Sequence, residues 1–150
     1  MLTSSRQTLA DARAALARQG FSQHVGAELA RFSSDETVLT IRLQEHHLQQ
    51  HGLVHGGVVA YAADNVMAFT AGAELGPSVV SAGLALSFTA PARGTLLVAT
   101  GTLVTATRCR AVVRCTVVAV DDAGSSTTCA AAQGTFSLLR EQRGNSGAAR

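Results

Sequence analysis

The stretch HGGVVAYAADNVMAFTAG, His55 to Gly72, decides how this chain is read. Val58, Val59, Ala62, Ala63, Val66, Met67, Phe69 and Ala71, with Ala60, Tyr61 and Ala68 between them, leave almost no polar face. That is the pattern of a helix covered on most sides. Asp64 stands in its middle. Asp is a poor helix-interior residue, and an unpaired carboxylate is expensive to take out of water. A structural cap or ion pair, a solvent-facing edge and a reactive group compete as explanations. The apolar neighbours three and four residues away, Ala60, Tyr61, Met67 and Ala68, speak against the edge. Gly56 and Gly57 favour the reactive group. They leave backbone N–H groups bare where the helix dipole is positive, which suits a developing oxyanion. Gly57 also lets a carbonyl approach without a Cβ in the way.

Working outward, residues 4–19 read as a short helix with Leu9, Ala12 and Leu16 on one face and Gly20 as its stop. Residues 24–32 and 36–44 read as strands joined by an SSDE turn; in the second, Leu39, Ile41 and Leu43 alternate with Thr40 and Arg42. A histidine-rich loop covers 45–54 and the apolar helix 56–75, ending before Gly76-Pro77. Strands follow over 78–90, 94–107, 109–120 and 125–139, with DDAGS as a hairpin turn before the last. Residues 1–139 are expected to form a single domain, and the polar 140–150 a disordered tail. Consecutive strands with short connections imply an antiparallel sheet. An α+β arrangement, an antiparallel β-sheet wrapped around a long central α-helix, covers the helix on most sides, and this layout resembles the hotdog fold.

A net charge of +2 is too mild for a nucleic-acid binder. No apolar run reaches the roughly 18 residues of a membrane span, and the N-terminus lacks a signal-peptide core. Three cysteines without CxxC spacing suggest reduced thiols and a cytoplasmic protein. Gly57 and Asp64 lie two turns apart, roughly 10.5 Å along one helix. A reacting carbon must sit within about 3 Å of both the oxyanion donor and the attacking group. One helix cannot supply both, whereas two antiparallel copies can. The spacing therefore predicts a two-fold homodimer with shared sites.

HLQQHGLVHGGVVAYAAD resembles the signature of the PaaI-like acyl-CoA thioesterases, in which an Asn precedes an HGG by six residues and an Asp follows the His by nine. The likeness covers about residues 24–139, including SAGLALSFTAPARG, similar to the family's third strand and Pro-Ala turn. It implies hydrolysis of an acyl-CoA thioester without a cofactor or metal, as in phenylacetic acid degradation. Asp64 is implied as nucleophile or general base, the Gly57 N–H as the group polarising the carbonyl, and His55 as shaping that turn. Ser81, ten residues before Pro91, matches a position that orients the water. Gln49 replaces the family Asn with the same amide on a longer stem. Thr107, Arg108 and Arg110 fall beside the CoA phosphates in the resemblance; a solvated strand face is their plainer reading. Members are often tetramers, dimers of dimers.

His47, His51 and His55 have the spacing of one helical face, but Gly52, Gly56 and Gly57 interrupt any such helix, so a polar loop is expected there rather than a metal site. Tyr61, Met67, Phe69 and Phe88 are candidates for an acyl pocket. A hotdog enoyl-CoA hydratase or dehydratase and a non-catalytic acyl-CoA binder are the alternatives.

Overall fold

The structure, a computed structural model, describes residues 7–139. The chain starts with α1 (Leu9–Ala17), capped by Thr8, whose side chain accepts from the Asp11 N–H while Asp11 reaches back to Thr8. Here the expected single helix fails. The chain breaks at Arg18, and Gly20, expected as a stop, instead opens a second helix, α2 (Gly20–Val25), closed by Gly26 at φ 74°. The first strand therefore begins later than expected. Residues 4–6 and the tail from Arg140 lie outside the described residues.

Strands β1 (Ala27–Arg31), β2 (Thr37–Arg42), β3 (Val79–Phe88), β4 (Leu96–Ala106), β5 (Arg110–Val120) and β6 (Ser126–Leu138) form one antiparallel sheet in the order β1-β2-β4-β5-β6-β3. The long helix α3 (Gly56–Leu75) matches its expected span and lies across the concave face. This is the hotdog fold. Alternation decides which side chains meet the helix. Leu97 and Ala99 of β4, Ala111, Val113 and Val117 of β5 and Phe136 of β6 are wholly buried, as are Ala62, Ala63, Val66 and Met67 of α3.

The helix comes close to β4 at Gly101. A Cβ there would stand 2.5 Å from Thr70 Oγ1 and 3.3 Å from the Val66 carbonyl oxygen. Thr70 holds its hydroxyl on that same carbonyl at 2.8 Å, so the buried oxygen is satisfied inside the helix.

The two edges of the sheet differ. β1 is five residues long, carries Glu28 and Arg31, and is covered by α1, from which Arg13 Nε donates to the Leu29 carbonyl at 2.9 Å. Such features blunt an edge against further pairing. β3 is ten residues long, uncharged, and paired only with β6; Val80, Leu84 and Phe88 stay exposed.

Gly101→Ala is expected to lower stability by about 1–3 kcal/mol, because the added methyl pushes α3 off the sheet. A fall in the thermal melting temperature without loss of helical circular dichroism at low temperature checks this.

Candidate active site

Asp64 is half-exposed, not buried, which corrects the expectation drawn from its apolar neighbours. The sheet occupies one side of α3, and Asp64 falls on the remaining stripe with Gly57, Tyr61 and Ala68, none of them buried. Its partner is Ser81 on β3, whose Oγ donates to Asp64 Oδ1 at 2.7 Å. That bond holds one carboxylate oxygen, and no hydrogen bond engages the other among the described residues. Spacing alone does not pair residues on a helix and a strand; the sheet register does so here.

The other end of the stripe is the start of α3. His55 is its N-cap, and its Nδ1 accepts the Gly57 N–H at 2.8 Å. Gly57 is bare for a visible reason: a Cβ there would stand 2.9 Å from His55 Nδ1. The Gly56 N–H has no acceptor among the described residues. A Cβ on Gly56 would stand 3.3 Å from Phe88 Cζ, so the Phe88 ring packs on the bare backbone.

Gln49 and Gly56 border a cavity of about 400 Å³, walled by Leu53, Val59, Phe88, Pro91 and Cys129. Gln49 Oε1 accepts the His51 backbone N–H, which orients its amide. The structure thus brings Gln49, His55, Gly56 and Gly57 together at the start of α3 and Asp64 with Ser81 about two turns further along it.

Thr107 and Arg108 lie in the β4–β5 hairpin, closed by the Thr107 N–H donating to the Arg110 carbonyl at 2.7 Å. Both arginines are exposed. Arg110 pairs with Ser137, which also pairs with Val80, so the hairpin sits at the Ser81 end of the sheet, roughly 10 Å from β3. Since Ala111 points into the core, Arg110 projects from the face opposite Ser81.

Besides Thr70, α3 buries a second polar side chain, Asn65, beside Asp64. Its Nδ2 donates to Tyr61 Oη at 2.8 Å, Tyr61 donates to Ser22 Oγ at 2.6 Å, and Ser22 donates to Gln19 Oε1 at 2.6 Å. This relay ties α2 to the open side of α3. Burial pushes the Tyr61 hydroxyl above its ordinary range. The sequence reading passed over Asn65, although a second polar residue in the same apolar run marked it. The suggested pocket residues separate as well: Met67 is wholly buried in the core, Tyr61 joins the relay, and Phe69 lines a cavity of about 100 Å³ under α1 that contains neither Asp64 nor Gly57. Only Phe88 borders the larger cavity.

The histidine-rich loop serves the start of α3. His47 is buried; its Nε2 donates to the Val25 carbonyl at 2.8 Å, its Nδ1 accepts the Gln44 N–H at 3.0 Å, and its carbonyl accepts the His55 N–H at 2.8 Å. No group of three or more metal-ligating side chains comes together among the described residues. Cys109, Cys115 and Cys129 are free thiols, and burial pushes Cys115 up to about 12, so that thiol stays protonated at neutral pH. No helix of the described residues is long and apolar enough to cross a membrane.

The sequence profile of the Thioesterase superfamily matches residues 51–125, half of the chain. The chain belongs to the thioesterase superfamily. Among solved structures it is similar to a thioesterase family protein from Silicibacter pomeroyi, with a TM-score of 0.82 at 24% identity over 88% of this chain and 98% of that one. It is also similar to the Escherichia coli PaaI protein from the phenylacetic acid degradation operon, with a TM-score of 0.76 at 18% identity over 87% and 92%. A mutant of the phenylacetic acid degradation protein PaaI from Thermus thermophilus gives 0.68 at 25% over 79% and 98%. None of the curated proteins matches the sequence.

Burial holds the His47 imidazole below its ordinary value of 6.5. The folded state therefore binds fewer protons than the unfolded chain once pH falls to about 6.5, and stability present above that pH is lost as pH falls further. Unfolding free energy is expected to decline below pH 6.5 by at most about 1.4 kcal/mol per pH unit for this group, read as a falling melting temperature. His47→Gln should flatten that part of the profile.

Proposed function

We propose that the protein hydrolyses acyl-CoA thioesters to free acid and CoA at two sites shared across a two-fold dimer. The observation that carries this reading is a matching of ends along β3. Within one chain, Asp64 meets Ser81 near the start of the strand, and the α3 N-terminus meets Phe88 at its end. β3 is also the open, apolar edge. Antiparallel pairing with a second copy, centred near Leu84 and Ala85, brings the Ser81 end of β3 in one chain beside the Phe88 end in the other. Asp64 and the glycines of α3, about 10.5 Å apart in one helix, then face each other across the interface.

The roles follow from the chemistry of each group. The thioester oxygen takes the Gly57 N–H over from His55 Nδ1 as negative charge builds on it, since a charged acceptor outcompetes a neutral one. Ser81 fixes the Asp64 carboxylate by one oxygen, and the other attacks or removes a proton from the attacking water. The water oxygen bonds to the carbonyl carbon, the C–S bond breaks, and the proton leaves with the CoA sulfur. The Gln49 amide lies beside the glycines, where it orients the thioester. We assign the CoA phosphates to Thr107 and Arg108 of the β4–β5 hairpin, beyond the Asp64 end, while Arg110, on the opposite face of the sheet, takes no part. Association of two dimers into a tetramer belongs to the same proposal, and native mass reads it.

Release of CoA from a panel of acyl-CoA esters tests the reaction; a hydratase would instead change the absorbance of an enoyl-CoA, and a binder would do neither. Asp64→Asn is expected to lower kcat at least about a hundredfold with binding of the ester retained. Ser81→Ala should lower it less, about tenfold, because it positions rather than attacks. An equal or larger loss in Ser81→Ala would reverse the two roles.

Sharing of the site is tested with two inactive chains. Asp64→Asn lacks the carboxylate, and Gly57→Val closes the oxyanion site. In a mixed dimer one site receives Asp64 from one chain and Gly57 from the other, and is intact. Co-refolding equal amounts is expected to restore about a quarter of wild-type activity, half the dimers being mixed and each having one good site of two. Inactive mixed dimers of two folded variants would show that the residues do not cooperate across the interface.

A further inference from the structure

The cavity beside the α3 N-terminus has more room than hydrolysis by itself requires. Its volume of about 400 Å³ falls in the range of small-molecule sites. It is lined by Gln49 and Gly56 together with Leu53, Val59, Phe88, Ala90 and Cys129. Its side-chain polar atoms, the Gln49 Nε2 apart, are engaged elsewhere. Gln49 Oε1 accepts from His51, Thr89 Oγ1 donates to the Thr128 carbonyl at 2.9 Å, and Cys129 Sγ donates to the Val117 carbonyl at 3.3 Å. Burial also pushes the Cys129 thiol up, which keeps it protonated. The walls are otherwise apolar. Phe88 lies over Gly56 with its side chain 60% exposed, so it bounds the cavity without belonging to the core.

We propose that this cavity receives the acyl tail, that the protein acts on saturated medium-chain acyl thioesters, and that Phe88 sets the length of tail accepted. The proposal rests on the thioesterase reading above, which puts the reacting carbonyl at the glycine end of the cavity. A hydroxylated or charged tail would leave its polar group buried without a partner. Each methylene that enters is worth roughly fourfold in affinity, until the cavity is full.

Two measurements test it. The first is kcat/KM over CoA esters from acetyl to dodecanoyl, with 10-hydroxydecanoyl alongside. It is expected to climb about fourfold per methylene to a plateau at medium length, and the hydroxylated ester to fall at least about fivefold below decanoyl. Ala90→Leu, which adds bulk to the cavity wall, should move the plateau at least two carbons shorter, and Phe88→Ala should move it longer. Melting temperature and native mass identify which variants remain folded dimers. An unchanged plateau in a folded Ala90→Leu variant, or a wild-type preference for acetyl or the hydroxylated ester, would overturn the proposal.

The second is calorimetric titration with S-alkyl-CoA thioethers from ethyl to decyl, which cannot be hydrolysed. Tighter binding of decyl than ethyl, with the gain lost in Ala90→Leu, supports the cavity assignment even if no ester is turned over, in which case the hydrolase reading alone fails. Equal binding of ethyl and decyl by the wild type would overturn the assignment even if esters are hydrolysed.

Discussion

The seating of α3 on the concave face of the sheet is the constraint on which the other features depend. Small side chains under the helix, Ala99, Gly101, Ala111 and Ala130, let it come close, and Ala62, Ala63, Val66 and Met67 fill the space that remains. Once that face is committed, only one stripe of the helix is open. Residues spaced by about two turns share that stripe, so Gly57 and Asp64 emerge on the same side. The chemistry of the proposed site is thus laid along the one surface the core does not use, and Asp64 keeps contact with water while standing among apolar neighbours.

The same seating fixes what that stripe meets. Ser81 reaches Asp64 and Phe88 reaches Gly56 because α3 runs antiparallel to β3. β3 is the edge left without charge or cover, whereas β1 is short, charged and tied to α1 by Arg13. An unprotected apolar edge invites a further strand. In the dimer proposed above, a second copy answers that demand and, in the same step, completes the site.

Polar contacts hold the start of the helix in place. His47 links Val25, Gln44 and His55, and His55 caps α3 through the Gly57 N–H. The relay from Asn65 through Tyr61 and Ser22 to Gln19 then lays α2 over the open side of α3. Buried hydrogen-bonding groups of this kind specify one arrangement because each leaves an expensive vacancy if the neighbour shifts.

The sequence by itself determined the span of α3, because its apolar run, its opening glycines and its closing Gly-Pro are local signals. It determined the strands to within a few residues through their alternation and turns, and the His55-to-Asp64 spacing, which is a property of one helix. It did not reveal α2, since Gly20 reads equally as the end of one helix or the start of another. Nor did it reveal how far Asp64 is exposed, that Asn65 beside it is buried, or that Phe88 rather than Met67 borders the cavity at the start of α3. Those were decided by which face of α3 the sheet covers and by the register that brings β3 alongside it. Both depend on residues far apart in the chain, and periodicity within one segment carries no information about what packs against it.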